Sequence, residues 1–257
     1  SYSSAALTVP DFGADPSDYY SAFVEIFVNA GATLTIEPGT VVKGRLQSNI
    51  TTGDGASALI VRRGARLVAE GTAGQPIVFT SELDDVNDPE DLTQRDRGLW
   101  GGVILLGRAT TNQPTQDNQI EGIAAETEEA LYGGTDDDDD SGVLRYVSIR
   151  HGGFSISGVS GDEINGLTMG AVGRGTTIEY VEVFANLDDG FEFFGGTVDL
   201  KYALATGISD DSFDYSTGWQ GRGQFWIALQ DPDDADNGFE VDNNADTEAA
   251  PRTDPMI

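Results

Sequence analysis

The chain contains no cysteine, two lysines and one histidine. The lack of cysteine excludes disulfides, thiolate metal sites and cysteine nucleophiles. Every Ser-His-Asp or histidine-metal scheme would have to use His151, the single histidine. No apolar run approaches the ~18 residues of a membrane-spanning helix, so we expect no membrane insertion.

Positive charge is also scarce, since 14 Lys and Arg face 44 Asp and Glu for a formal net charge of −30. Such a chain repels phosphate backbones and anionic lipid headgroups, so we expect no nucleic-acid partner. Asp outnumbers Glu by 29 to 15, a bias that favours a saline or calcium-rich, extracellular setting. The 33 glycines suit a fold with frequent tight turns.

Internal repeats are the strongest signal for the fold. The segment 31–37 recurs at 64–70, an offset of 33 residues. A second family comprises 144–149, 178–183 and 200–205, at offsets of 34 and 22. Short strands that recur at such intervals bury their inward side chains only against neighbouring repeats.

A third repeat family starts with Asn or Asp and continues into a short apolar strand. Its members are 165–169, 189–193, 211–215 and 237–241, at offsets of 24, 22 and 26. These spacings predict an all-β fold, a parallel β-helix in which one repeat forms one coil. A β-propeller would need longer repeats, and a β-sandwich would show no register between distant segments.

Some segments do not fit a coil. We expect residues 1–257 to form one domain, with 1–22 as an N-terminal cap or entry segment and 109–142 as a long acidic loop. Residues 46–58 and 83–97 are shorter excursions, and 123–131 is the one stretch that suggests a helix. The run Asp136–Asp140 favours a solvated or disordered loop over a binding site.

Several segments resemble a family of secreted bacterial surface proteins and lipoproteins that form right-handed parallel β-helices. The resemblance covers about residues 24–244 and is carried by 70–72 with 76–81, 98–102, 141–153, 163–173, 176–198 and 210–226. It implies a single-stranded right-handed solenoid, export, and a secreted or cell-surface location, and it attaches no activity. It also implies that C-terminal coils are missing after Ile257.

The acidic residues of the third family are the sharpest candidate site. The offsets predict one column of Asp189, Asp211 and Asn237 and another of Glu192, Asp214 and Glu240, with neighbours one strand spacing, ~4.8 Å, apart. Calcium suits such irregular oxygen ligands best. The alternative is a solvated face on which each carboxylate caps a turn. The predicted metal ligands are Asp188, Asp189, Glu192, Asp210, Asp211 and Asp214.

A glycoside hydrolase or polysaccharide lyase is the enzymatic alternative, because stacked carboxylates could supply an acid and a second carboxylate. A lyase would use an arginine base, for which Arg150 and Arg174 are candidates. His151 is favoured as a turn residue, and Ser155 and Ser157 lack the context of a nucleophile. No phosphate-binding or dinucleotide motif is present, so no catalytic or cofactor-binding residue is assigned.

The aromatic residues are interpreted mainly as packing. Tyr146, Tyr180 and Tyr202 predict a stack within the solenoid, with a sugar-binding platform as the alternative. Trp100 and Trp226 are expected in the core, and Trp219 is expected to be exposed in a glycine-rich turn.

The function predicted from these observations is a secreted or cell-surface structural or adhesive module, stabilised by calcium and without catalysis. The alternative is a β-helix that binds or degrades a polysaccharide. A solenoid that stops at Ile257 would expose strand edges, so we also expect self-association into oligomers or filaments.

Overall fold

The computed structural model describes residues 6–9, 20–23, 25–46, 48, 57–123, 128–154, 164–244 and 249–257. These residues form nineteen strands, numbered along the chain, and a short 3-10 helix at Glu128–Ala130, with no α-helix among them. No helix in this part is long and apolar enough to cross a membrane. The predicted all-β class is confirmed.

The first sheet has ten strands. Its main path runs in the order β1-β4-β7-β12-β14-β16-β18. A branch joins β2 to β5, β5 to β8 and β8 to β12. The strands are β1 (Ala6–Val9), β2 (Tyr20–Phe23), β4 (Thr33–Ile36), β5 (Val41–Gly44), β7 (Arg66–Glu70), β8 (Ile77–Ser81), β12 (Gly142–Arg150), β14 (Thr177–Phe184), β16 (Asp199–Thr206) and β18 (Gly223–Leu229).

The second sheet has seven strands in the order β3-β6-β9-β13-β15-β17-β19. They are β3 (Glu25–Val28), β6 (Ala58–Val61), β9 (Val103–Leu106), β13 (Leu167–Gly170), β15 (Phe191–Phe194), β17 (Phe213–Ser216) and β19 (Glu240–Val241). The described pairings within both sheets are parallel. A separate antiparallel pair joins β10 (Asn118–Gln119) to β11 (Leu131–Tyr132).

The chain returns to both sheets in every repeat, and the pairing register reproduces the offsets of the sequence. Leu34 pairs with Leu67 in the first family. In the second family Leu144 lies opposite Ile178, and Ile178 opposite Leu200. Distant segments therefore stack in parallel, as the repeats predict.

The core lies between the two sheets because alternate residues of each strand point inward. In β4, Leu34 and Ile36 are buried while the threonines beside them are partly exposed. Further buried side chains, Phe79, Leu105 and Phe193 among them, continue the same cluster along the stack. Burial at ~25 cal/mol per Å² of apolar surface makes this core the main stabilising contribution.

A bend in the first sheet places aromatic rings on the outside of the fold. The first half of β12 pairs with β7 and the second half with β8, and Tyr146 alone spans the bend between them. Tyr146, Tyr180, Tyr202 and Phe225 occupy this bend with φ of 48, 55, 57 and 60°. The predicted stack of the three tyrosines is confirmed, but Tyr180 is 38% exposed, so the stack lies on the outside and the prediction that it packs in the interior is wrong.

The tryptophans differ in part from expectation. Trp100 is fully buried as predicted, and its indole N–H donates to the carbonyl of Arg150 at 2.7 Å. Trp219 is also fully buried, because its ring stacks on Phe193 and its indole N–H reaches the carbonyl of Val198. Trp226 is only half-buried against the core.

The acidic loop 109–142 covers part of the outer face of the second sheet. Ile120, Ala130 and Tyr132 from the loop join a second apolar cluster with Ile60 and Ile104 of β6 and β9. Hydrogen bonds hold the Asp136–Asp140 run: the side chains of Asp137 and Asp139 accept the backbone N–H groups of Thr110 and Arg108, and that of Asp140 accepts the N–H of Gly142. The run is thus fixed by hydrogen bonds, while Asp136, Asp138 and Asp140 are exposed, which agrees with the solvated alternative.

Other segments lie partly or wholly outside the described residues. Of the predicted helix 123–131, residues 124–127 are outside, 128–130 form the 3-10 helix and Leu131 begins β11. Most of 1–22 and of 46–58 is also outside, although β1 pairs with β4 within the first sheet. The loop 83–97 is held by Arg95 and Arg97, which form ion pairs with the buried Asp231.

Candidate metal centre

The predicted ligands lie where the chain enters successive strands of the second sheet. Asn165, Asp189, Asp211 and Asn237 each stand shortly before β13, β15, β17 and β19. Their carbonyls link neighbouring repeats: those of Asp189, Asp211 and Asn237 accept the N–H groups of Gly166, Gly190 and Ser212. This confirms that Asp189, Asp211 and Asn237 form the first expected column.

One carboxylate oxygen of each aspartate in this column bonds to the next repeat. Asp189 Oδ1 accepts the N–H of Asp211 at 2.9 Å, and Asp211 Oδ1 accepts the N–H of Asn237 at 2.6 Å. As the capping alternative expects, one oxygen of each side chain accepts a backbone N–H group, but the donors belong to the next repeat and both aspartates are buried, so the expected solvated face is wrong. These hydrogen bonds supply no positive charge, so the carboxylates of the column still lie close together without a counter-charge.

The second expected column is seen directly in the strand register. Glu192 pairs with Asp214 between β15 and β17, and Asp214 pairs with Glu240 between β17 and β19. Before Glu192 the same row contains Ile60, Ile104 and Thr168, in β6, β9 and β13. The outward row of the second sheet thus changes from apolar to acidic along the stack.

The structure brings all six predicted ligands together and adds Asp236. They form three groups whose carboxylate oxygens lie within 4.8 Å of one another, and Asp189 and Asp210 are each shared by two groups. The groups are Asp188 with Asp189 and Asp210, Asp189 with Glu192 and Asp214, and Asp210 with Asp211 and Asp236. We call these seven residues the carboxylate cluster.

The floor and the rim of the carboxylate cluster differ in exposure. Asp189, Glu192 and Asp211 are buried, whereas Asp210 and Asp236 are exposed. No ion pair found among the described residues involves Asp189, Glu192, Asp211 or Asp214; the cationic side chains bind other carboxylates. The buried floor therefore carries several acidic groups without a basic side chain to neutralise them.

Three carboxyl groups of the cluster have raised pKa values. Burial, followed by the charge of Asp188, raises the pKa of Asp189 to about 9. Burial also raises the pKa of Glu192 well above its usual value, and the charges of Glu121 and Asp189 add to this. Burial raises the pKa of Asp214 to about 6, although a hydrogen bond from Glu192 lowers it.

Glu240 continues the second column at the edge of the carboxylate cluster. Contact with the carboxyl group of Asp211, followed by burial, raises the pKa of Glu240 to about 7. Carboxyl groups at hydrogen-bonding distance from one another must share protons or bind a cation. The arrangement can therefore take up protons or divalent cations in exchange for them.

The sequence analysis did not identify two polar side chains beside the carboxylate cluster, those of Asn165 and Glu121. Asn165 is fully buried, and its Nδ2 donates to Glu192 Oε2 and, at 3.2 Å, to Glu121 Oε1. Its Oδ1 is buried and has no hydrogen-bond partner, as is also true of Asp214 Oδ1. Unpartnered oxygens in a buried acidic site are suited to a hard cation such as calcium.

The sequence contained a signal for some of the missed residues but not for all. Asp236 precedes Asn237 as Asp188 precedes Asp189 and Asp210 precedes Asp211, so the repeat could have indicated it. Asn165 opens the first member of the same family. Glu121 comes from the acidic loop, and no spacing in the sequence connects that loop with Glu192.

The other candidate residues are engaged elsewhere. Arg150 lies 3.9 Å from Glu182, and Arg174 pairs with Asp137 and Asp138 of the acidic loop. His151 is buried with φ of 60°, its Nδ1 is 2.6 Å from the carbonyl of Asp96, and burial lowers its pKa. These features support the turn interpretation of His151. Ser155 and Ser157 lie outside the described residues.

Comparison with known proteins identifies one family. A family model described as a pectate-lyase like beta helix domain matches residues 8–257. Neither the curated proteins nor the solved structures contain a match to the chain. The family match agrees with the parallel sheets and with the resemblance to β-helical proteins.

Proposed function

The chain belongs to the pectate-lyase-like β-helix family, and from this premise we propose that it is a non-catalytic structural or adhesive module stabilised by calcium. The module is secreted or displayed on a cell surface. The excess of Asp over Glu, the net charge of −30 and the resemblance to exported proteins support this location. In the proposed fold the coils form a single right-handed solenoid, the hand that ~98% of parallel crossover connections adopt.

The observation that carries the calcium proposal is the carboxylate cluster itself. Its three groups are linked through Asp189 and Asp210. The buried residues Asp189, Glu192 and Asp211 form no ion pair with a described basic side chain. The unpartnered Oδ1 of the buried Asn165 is an independent observation in favour of a cation site here. An isolated buried carboxylate is costly, and a bound cation removes that cost.

Calcium suits the carboxylate cluster better than magnesium. Calcium takes 6 to 8 oxygen ligands at ~2.3–2.6 Å in flexible geometry, whereas magnesium demands a near-ideal octahedron and loses water reluctantly. Carboxylates from successive repeats, some buried and some exposed, form an irregular set. The exposed Asp210 and Asp236 give the ion access from solvent.

Thermal unfolding in calcium and in chelator at fixed ionic strength tests this proposal. Binding only to the folded state adds about 2.7 kcal/mol at a hundredfold excess over Kd, so calcium should raise the melting temperature clearly. The variant Asp211→Asn should lose most of this increase. The control Glu90→Gln removes the same charge from the exposed loop 83–97 and should keep it. An equal increase with sodium would indicate screening alone.

A polysaccharide-acting enzyme is the second candidate, favoured by the adjacency of Glu192 and Asp214 across β15 and β17. The strand spacing of ~4.8 Å is close to the ~5–5.5 Å between the carboxylates of a retaining glycosidase. However, Glu192 is only 6% exposed, so a sugar could not reach it without rearrangement. Turnover of a polysaccharide that is lost in Asp189→Asn or Asp211→Asn would replace the non-catalytic proposal with this one.

A further inference from the structure

The side-chain amide of Asn165 lies among three oxygen atoms on the outer face of the second sheet. Its Nδ2 is 3.2 Å from Glu121 Oε1 and 3.4 Å from Thr168 Oγ1, and it also contacts Glu192 Oε2. An amide NH2 group has only two hydrogens, so it cannot donate to all three oxygens at once. Nδ2 therefore occupies a position where oxygen ligands converge and where a neutral amide satisfies only some of them.

The other end of the same amide has no partner. Asn165 is fully buried, and its Oδ1 forms no hydrogen bond with any described residue. The two ends of an amide are alike in size, so a half-turn of the side chain exchanges them. Oδ1 loses no hydrogen bond in this exchange, and it then lies where Nδ2 lay. The site becomes a set of four converging oxygens.

The spacing of these oxygens fits a calcium ion. Two ligands that are each ~2.4 Å from one calcium ion and at right angles to one another lie ~3.4 Å apart. The distances of 3.2 and 3.4 Å from the amide to Glu121 and Thr168 match this spacing. The carboxylates of Glu121 and Glu192 together balance the charge of one divalent cation. Thr168 and Glu192 are buried and Glu121 is exposed, so the ion reaches the site from the side of Glu121.

The position of the acidic loop 109–142 decides whether Glu121 reaches the other oxygens. Ile120 of the loop packs in the second apolar cluster with Ile104. Tyr132 lies over Gly170 of β13, the strand that carries Thr168, so closely that a Cβ at Gly170 would stand 2.8 Å from the Cγ of the tyrosine. The carboxyl group of Glu121 also contacts that of Glu192. Like charges in contact oppose the docking of the loop unless a cation lies between them.

We propose that Glu121, Asn165, Thr168 and Glu192 form a calcium site that holds the acidic loop against the second sheet. The inference rests on the proposed calcium function and adds to it a ligand from outside the repeats. Glu192 is shared with the carboxylate cluster, whereas the other three residues are not members of it. Calcium binding and loop docking are then coupled, and each strengthens the other by the same factor.

Hydrogen exchange of the loop, followed during a calcium titration, tests this site. The N–H groups of Ile120 and Gly133 bond to the carbonyls of Ala130 and Gly107, and calcium should slow their exchange. Glu121→Gln keeps the size of the side chain and removes its charge, so the calcium concentration for half of this protection should rise at least about tenfold. The control Glu128→Gln makes the same change at another exposed glutamate of the loop and should leave that concentration unchanged.

Gly170→Ala tests the coupling without altering a ligand. The added methyl group displaces Tyr132 and with it the loop, so the calcium concentration for half protection should again rise. The control Gly74→Ala places the same methyl group in open space, with no atom within 4 Å, and should have no effect. An equal response of both glycine variants would show that loop position and calcium binding are independent, and it would overturn the inference.

Melting temperatures of the same proteins separate this inference from the proposed function. A melting temperature that rises with calcium while exchange in the loop does not respond would overturn the loop site and leave the proposed function in place. The same conclusion holds if Glu121→Gln responds to calcium as the wild type does. A wild-type protein in which calcium changes neither the melting temperature nor the exchange would overturn both.

Discussion

At the scale of single residues, Asp189 both accepts a backbone hydrogen bond and belongs to the carboxylate cluster. Its Oδ1 accepts the N–H of Asp211, while burial and the charge of Asp188 raise its pKa to about 9. The capping bond explains why an oxygen acceptor is needed at this position. It does not explain a carboxylate, because an asparagine could accept the same bond.

The variant Asp189→Asn separates these two roles. It keeps the oxygen acceptor and removes a carboxyl group that must take up a proton when the metal-free protein folds at pH 8, so we expect that protein to gain about 1 kcal/mol, or about 2–4 °C in melting temperature. The stabilisation by calcium should fall by more than half. Calorimetry of both proteins with and without calcium measures the two effects, and an unchanged calcium response would exclude Asp189 as a ligand.

The pH dependence of the metal-free protein follows from the raised pKa values. Asp189 and Asp214, with pKa of about 9 and about 6, lie above the ~3.9 of an unfolded aspartate. The folded state then binds more protons between these limits. The resulting stability is complete below about pH 4 and is lost as the pH rises through 6 and then 9.

Urea unfolding of metal-free protein between pH 5 and 9 measures this dependence. The unfolding midpoint should fall as the pH rises, and calcium should flatten the curve because it replaces the protons. The double variant with Asp189→Asn and Asp214→Asn should also flatten it, which separates the cluster from the general repulsion of the acidic surface. A midpoint that rises with pH in the metal-free wild type contradicts the assignment.

At the scale of elements, the aromatic bend of the first sheet balances strain against stacking. A left-handed conformation costs a residue with a Cβ about 1–2 kcal/mol. Tyr180 stacks between Tyr146 and Tyr202 with ring centroids 4.6 and 4.4 Å apart. Each such contact contributes about 0.5–1.5 kcal/mol beyond buried area. The faces of the inner rings are covered by their neighbours, which argues against a sugar platform there.

Replacing rings with asparagine, which tolerates the left-handed conformation, tests this balance. Tyr180→Asn loses two stacking partners and should destabilise the protein by about 1–2 kcal/mol. Phe225→Asn loses only Tyr202, at the end of the stack, and should change stability by less than about 0.5 kcal/mol. Equal losses in urea unfolding of the two variants would show that stacking does not hold the bend.

The elements also show where sequence reasoning works. The offsets of 24, 22 and 26 residues predicted the pairing of Thr168, Glu192, Asp214 and Glu240, because in-register parallel strands repeat in space as they do along the chain. The direction of the tyrosines could not be predicted in this way. A single left-handed residue at the bend changes which face a side chain occupies, and the apolar pattern does not reveal it.

At the scale of the whole molecule, the net charge of −30 is distributed unevenly. Acidic side chains converge at the entry to the second sheet, and the edge strand β18 carries none. The sequence predicted the columns because they follow the repeat. It could not predict that the acidic loop 109–142 folds back with Ile120 and Tyr132 onto the second sheet, since tertiary contacts of a loop have no periodic signal.

Calcium titration of metal-free protein by isothermal calorimetry tests the central claim most directly. The account predicts saturable binding at about 0.15 M salt, with heats that depend on the buffer because calcium displaces protons. Binding should be lost in the double variant with Asp189→Asn and Asp211→Asn and kept in Glu90→Gln. No saturable binding by the wild type, or equal binding by the double variant, would contradict the claim that the carboxylate cluster is a calcium site.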